Sequence, residues 1–69
     1  MTSIYDIQQV LKKFGTIIYT GDRLADLELM HDELHELYQS ALIELEQYNS
    51  LSLIIKHEMQ LEKEKSKSE

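Results

Sequence analysis

Gly15-Thr16-Ile17-Ile18-Tyr19-Thr20-Gly21-Asp22 is the stretch on which the architecture turns. It holds both glycines of a 69-residue chain that has no proline, so every strong helix breaker falls in one short window. The rest reads as helix. Upstream, Ile4, Ile7, Leu11 and Phe14 recur at three- and four-residue steps, with Ile18 in phase. Ser3 is a suitable N-cap, Asp6 puts a carboxylate in the first turn, and Lys12 and Lys13 suit the negative end of the helix dipole. With Gly15 as left-handed terminator, helix 1 is predicted over 4–14. The alternative is a helix that runs on through Gly15 with a kink. Thr16-Ile17-Ile18-Tyr19 also has the β-propensity of a short strand, but no other segment offers it a partner.

Downstream, Thr20-Gly21-Asp22 reads as a turn and a capping aspartate. Helix 2 then places Leu24, Leu27, Met30, Leu34, Leu37, Tyr38 and Ala41 within a sector of roughly 140°. Asp22, Asp26, Asp32, Glu33 and Glu36 occupy the opposite face without a cation. Leu29 stands among them, either exposed or covered by the 15–20 connection or a second protomer. Helix 3 begins between Ala41 and Glu46, with Leu45, Tyr48, Leu51, Ile55 and Met59 as its main stripe and Ser52 allowing close approach. A second apolar group, Leu53, Ile54 and Leu61, implies packing against both other helices or against another chain. Beyond Leu61 no apolar residue remains. The expected fold is all-α: a compact three-helix bundle forming a single domain over 1–61, with a disordered charged tail at 62–69.

Composition narrows the function classes. Hydrophobic residues at 42% and charged residues at 29% suit a soluble globular chain. No apolar run approaches the roughly 20 residues needed to cross a bilayer. Met1-Thr2-Ser3-Ile4-Tyr5-Asp6 lacks the basic region and apolar core of a signal peptide, and a cytoplasmic location is expected. The chain has no cysteine, which removes disulfides, thiolate nucleophiles and cysteine zinc sites. A net charge of −6 is a poor start for a duplex-DNA binder. A core this small rarely supplies more than about 3–5 kcal/mol, so oligomerisation is a plausible aid.

Catalytic chemistry finds little footing. His31-Asp32-Glu33-Leu34-His35 puts two histidines on one helix face, but the zinc-protease pattern needs glutamate directly after the first histidine, and no third ligand presents itself. His31 lies roughly 60° and His35 roughly 100° from the core direction, so both are expected as solvated flank residues. His57 has no neighbour that gives it a role. The acidic row on helix 2 forms no water-excluding cleft for acid–base work. No glycine-rich phosphate loop or serine elbow is present. The expectation is a protein that is not an enzyme and holds no metal or cofactor.

The window Lys12-Lys13-Phe14 through Arg23 gathers three of the seven Lys and Arg residues, two aromatics and both glycines. Rings beside cations and backbone N–H groups are what a single-strand nucleic-acid site uses. The competing account is structural: Phe14, Ile17 and Ile18 fill the core, and the glycines make turns.

Three strings carry a family resemblance: Tyr5-Asp6-Ile7-Gln8-Gln9-Val10-Leu11-Lys12, then Phe14-Gly15-Thr16-Ile17-Ile18-Tyr19-Thr20-Gly21-Asp22-Arg23-Leu24, then Asp26-Leu27-Glu28-Leu29-Met30 through Glu36-Leu37-Tyr38. Over roughly residues 3–60 the chain resembles the YqgQ family of small cytoplasmic proteins from Gram-positive bacteria. The resemblance implies a three-helix domain and brings no enzymatic activity. The family has no assigned function, although single-stranded nucleic-acid binding has been proposed for it, and no established binding residues carry over. The Lys/Glu-rich tail departs from the relatives.

Two functions follow as expectations. In the first, the chain binds single-stranded RNA or DNA: Lys12, Lys13 and Arg23 contact phosphates, Thr20 lies in the site, and Tyr19, with Tyr5 as a possible companion, stacks on bases. Charge segregation motivates it, since residues 1–21 set Asp6 against Lys12 and Lys13 while residues 22–36 hold six carboxylates and the single cation Arg23. In the second, a protein partner or a second copy docks on Leu29, Asp32 and Glu36 of helix 2 and on Ile54 and Leu61 of helix 3.

Overall fold

The computed structural model describes residues 4–67, and for 66 and 67 the backbone alone. The proposed Ser3 cap lies outside the described residues. Three helices follow in order: α1 over Ile4–Lys13, α2 over Arg23–Gln39 and α3 over Leu45–Lys67. The chain forms the expected all-α three-helix bundle, and no strand occurs among the described residues. α2 and α3 make the main interface, and α1 packs against both.

α1 ends where glycine permits it. The Gly15 N–H donates to the Lys12 carbonyl at 3.0 Å and the Thr16 N–H reaches back to the Leu11 carbonyl at 2.9 Å. That pair of bonds is a Schellman cap, and Gly15 sits at φ 84° to make it. The kinked continuation is therefore not what forms. Phe14 falls outside the helix and is 40% exposed, while Ile18 packs against the core. α2 starts at Asp22, whose carboxylate accepts the Leu24 N–H at 3.1 Å.

The exit from α2 corrects the sequence reading. Ala41 is not on the helix: it adopts φ 61° and is exposed. Its N–H donates to the Tyr38 carbonyl at 3.0 Å and the Leu42 N–H to the Leu37 carbonyl at 2.9 Å, repeating the α1 cap without glycine. The left-handed conformation costs a non-glycine residue about 1–2 kcal/mol. Turning there buries Ile43 to 6% exposure, which is worth a comparable ~1.5–3 kcal/mol.

The core is centred on Ile7 of α1, Leu34 of α2 and Ile55 of α3, each at 0% exposure. Leu51 and Ile55 carry the α3 stripe as expected, with Tyr48 and Met59 half-buried beside them. Leu45 does not join them and is 54% exposed. At about 100° per residue it points roughly 80° away from Ile55. Ser52 is buried, as close helix approach requires.

α3 also outruns expectation. It continues through Lys67, so the part of the 62–69 tail that is described is helical rather than disordered. Lys65 and Glu62 stand 4.0 Å apart one turn along, and Gln60 donates to Glu64 at 3.4 Å. Such three- and four-residue pairs support a solvated helix without apolar residues. Residues 68 and 69 lie outside the described residues.

Candidate nucleic-acid interface

With α1 closed at Gly15, residues 16–20 turn back and run along α2. Two threonines fix them there. The Thr16 hydroxyl donates to Glu33 Oε1 at 3.2 Å. The Thr20 hydroxyl and backbone N–H both donate to Asp26 Oδ1, at 2.6 and 2.7 Å. The Thr20 oxygen in turn accepts the Asp22 N–H at 3.2 Å, which braces the turn into the α2 cap. Thr20 is thus occupied in holding the connection.

This path leaves a groove of about 300 Å³ between α1 and the connection. Leu11, Ile18 and Met30 give it an apolar floor, and Gln8, Gln9, Lys12, Thr16, Ile17 and Tyr19 form its walls and rim. Tyr19 is 86% exposed and Ile17 81% exposed. Of the expected nucleic-acid residues, the groove brings together Lys12 and Tyr19. Lys13 is exposed at the same end of α1, and Thr20 lies just beyond the groove. Tyr5 is exposed on α1 but does not line it.

Arg23 lies apart from the lysines. Its guanidinium meets Glu58 of α3 at 3.5 Å, with the two side chains 50% and 34% exposed. It opens on a different hollow, shared with Leu61, Glu62 and Lys65. The structural account of Ile17 also fails: it is not core, because an extended connection lying on α2 can bury only alternate side chains, and Ile18 takes the inward place.

Gln8, Gln9 and Ile17 are groove residues that sequence reasoning missed. One signal was available, because Gln8 and Lys12 are four apart and share a face of α1. The return of the connection over that face was not readable.

The residues of the alternative docking surface are split. Leu29 is 45% exposed, with Asp32 and Glu36 exposed along the same flank of α2. Leu29 and Met30 fall on opposite sides of the line from Asp26 to Glu33 along which the connection is tied, so Leu29 stays open while Met30 floors the groove. Ile54 is not spare apolar surface, since it packs against the core. Leu61 is 40% exposed beside Arg23, and Leu53 is 67% exposed.

The histidines part company. His31 is half-buried between α2 and α3, with Nε2 2.9 Å from the buried Ser52 Oγ. It belongs to the helix interface, contrary to the expectation of a solvated flank. The small serine lets the imidazole enter, and Tyr48 covers it at a centroid distance of 6.3 Å. His35 is exposed, 6.0 Å from the same ring, which itself stacks on Tyr38 at 5.0 Å. Among the described residues no group of three His, Asp or Glu side chains could hold a metal ion. No helix among them is long and apolar enough to cross a membrane.

Comparison with known proteins agrees with the resemblance in the three sequence strings. The family model described as YqgQ-like matches residues 1–61. The uncharacterized protein YqgQ of Bacillus subtilis (strain 168) is 45% identical over 60 residues, covering 87% of this chain and 84% of the relative. The match runs through α1, the connection, α2 and most of α3, and on it the chain belongs to the YqgQ-like family.

Proposed function

We propose that this chain is a non-catalytic, cytoplasmic binding module for single-stranded nucleic acid, RNA foremost, and that the groove between α1 and residues 16–20 receives a base. The observation that carries the reading is the placement of Tyr19. Its ring stands almost fully exposed at the rim of an apolar groove that Lys12 also lines. A flat ring, an apolar floor and a nearby ammonium offer stacking, burial of a base face and a phosphate contact in one place. Gln8 and Gln9 add amides able to meet a base edge.

Electrostatics set the limits. Lys12 and Lys13 make no ion pair among the described residues, so both are available to phosphate. The carboxylates of α2 repel a strand from the far side of the connection, and the path must run on the α1 side. Two phosphate contacts give a salt slope of only about −1.4 for a single strand.

Fluorescence anisotropy of a labelled single-stranded RNA, titrated at low and physiological salt, tests the reading. Binding is expected to weaken with salt and to be lost in the double variant Lys12→Ala/Lys13→Ala. Unchanged affinity in that variant discards the site, and no binding at low salt discards the function. In the latter event the open Leu29 flank, with Asp32 and Glu36, becomes the leading surface, suited to a basic protein partner.

A further inference from the structure

We propose that residues 16–20 are a presented strand edge through which two copies of this chain pair antiparallel, forming a weak symmetric dimer. The proposal does not rest on the nucleic-acid reading, although both engage Tyr19, so a dimer and a bound strand would compete for it.

The first observation is conformation. Thr16 and Thr20 are bound to Glu33 and Asp26, which are about 10 Å apart along α2. Four residues reach about 13 Å as a strand and about 6 Å as a helix, so a span of about 10 Å suits an extended segment rather than a helical one, in keeping with the absence of helix over 16–20. Exposure alternates over 16–19, with Thr16 half-buried, Ile17 open, Ile18 half-buried and Tyr19 open, and Thr20 at the end of the segment is exposed. The second observation is the backbone. Neither the N–H nor the carbonyl of Ile17, Ile18 or Tyr19 has a hydrogen-bond partner among the described residues. A β-prone segment, pinned at both ends with its backbone unpaired, is a template for strand addition.

The occupant is a second copy because the segment is complementary to itself. Antiparallel pairing about Ile18 sets Ile17 of each copy against Tyr19 of the other, twice, on the outward face. A β-branched residue opposite an aromatic one is a favourable cross-strand pair. Thr16 then faces Thr20. The same arrangement brings the Lys12–Lys13 end of one copy to the Gly21–Asp22 end of the other, with opposite charges together and Arg23 drawn aside by Glu58. Parallel pairing would bring the lysines together instead. A ribbon this short buries less than the ~1,200 Å² of a standard interface, so the dimer is weak and concentration-dependent.

Sedimentation equilibrium of the full chain without nucleic acid, from about 10 μM to about 1 mM, reads this directly. The weight-average mass is expected to climb from that of one chain toward that of two. Mass that stays at one chain at the highest concentration overturns the proposal. Ile17→Asp, at an open position, is expected to weaken association at least ~10-fold with helical circular dichroism unchanged. Leu53→Asp, on the open face of α3, is expected to leave it intact. Loss of association in the Leu53 variant with retention in the Ile17 variant would move the interface to α3 and overturn the strand. Should Ile17→Asp unfold the chain, amide exchange of the unaltered protein decides: exchange at residues 17–19 is expected to slow with concentration, and concentration-independent exchange overturns the pairing.

Discussion

The two interhelical connections begin with the same pair of hydrogen bonds and then do opposite things. After α1, Gly15 takes the left-handed position and the chain releases an extended segment that leaves Ile17 and Tyr19 in solvent. After α2, Ala41 takes that position and the chain at once sends Ile43 into the core. After Gly15 the first connection leaves Ile17 and Tyr19 on the surface and packs only Ile18 against the core; the second leaves Leu42 open and places Ile43 in the core through one strained residue. A turn that accepts backbone strain to bury a side chain is there for stability. A turn made easy by glycine, yet leaving an isoleucine and a tyrosine open, gives the chain no packing in return, and it is these two side chains that the proposed contacts would use.

The comparison breaks first on stability. Ile43→Ala is expected to cost about 2–5 kcal/mol in chemical denaturation, because the Ala41 turn loses the burial that offsets it. Ile17→Ala, at 81% exposure, is expected to change stability by no more than about 0.5 kcal/mol. Equal costs at the two positions would mean that the first connection is packed after all.

Binding is the next point at which the connections should differ. Tyr19→Ala is expected to weaken single-stranded RNA by about 1–3 kcal/mol, the range of one lost base stack. Leu42→Ala, at the exposed residue of the second connection, is expected to leave affinity unchanged. An equal effect of both in the anisotropy titration would show that the contact is nonspecific and that the groove is not its seat.

These contrasts also show what could be read from the sequence. Gly15 and Asp22 announced the first connection because glycine relieves a steric clash and aspartate supplies a cap acceptor, both properties of the residue itself. Ala41 announced nothing. It is a good helix former in phase with the α2 stripe, and it leaves the helix only because Ile43, two residues on, finds space in the core. The three helices were legible from breakers, caps and spacing together, with the start of α3 placed only between Ala41 and Glu46. The candidate site was legible in part: Lys12 and Tyr19 meet at the groove, but Arg23 does not, since it begins α2 beyond the connection and its guanidinium turns to Glu58 of α3. Gln8 and Gln9 were passed over because their importance depends on the return path of the connection, which Thr16 and Thr20 fix through acids of α2.

A reciprocal pair of substitutions sharpens the comparison of the caps. A Cβ added at Gly15 meets nothing within 4 Å, so Gly15→Ala costs the backbone strain of about 1–2 kcal/mol less the entropy lost from the unfolded chain, a net destabilisation of up to about 1 kcal/mol. Ala41→Gly removes that strain but gives the unfolded chain more freedom, and the expected net is stabilisation by up to about 0.5 kcal/mol. Thermal unfolding should therefore move in opposite directions for the two variants. A shift to lower melting temperature in Ala41→Gly would mean that the alanine methyl contributes packing that its exposure does not suggest.

A small effect is expected at Arg23, and it separates the connection's ends. The guanidinium lies 3.5 Å from Glu58 with half its side chain in water, so the pair is screened and worth no more than about 1 kcal/mol. Arg23→Ala should lower stability slightly, and raised salt should erase the difference. Its effect on RNA affinity should fall well below that of Lys12→Ala, because Arg23 opens on a hollow shared with Glu58, Glu62 and Leu61, not on the groove. If Arg23→Ala instead weakens RNA as much as Lys12→Ala does, the strand must leave the groove toward α3 and displace Glu58. The binding path would then cross the start of α2, and the acidic residues there would become part of its specificity.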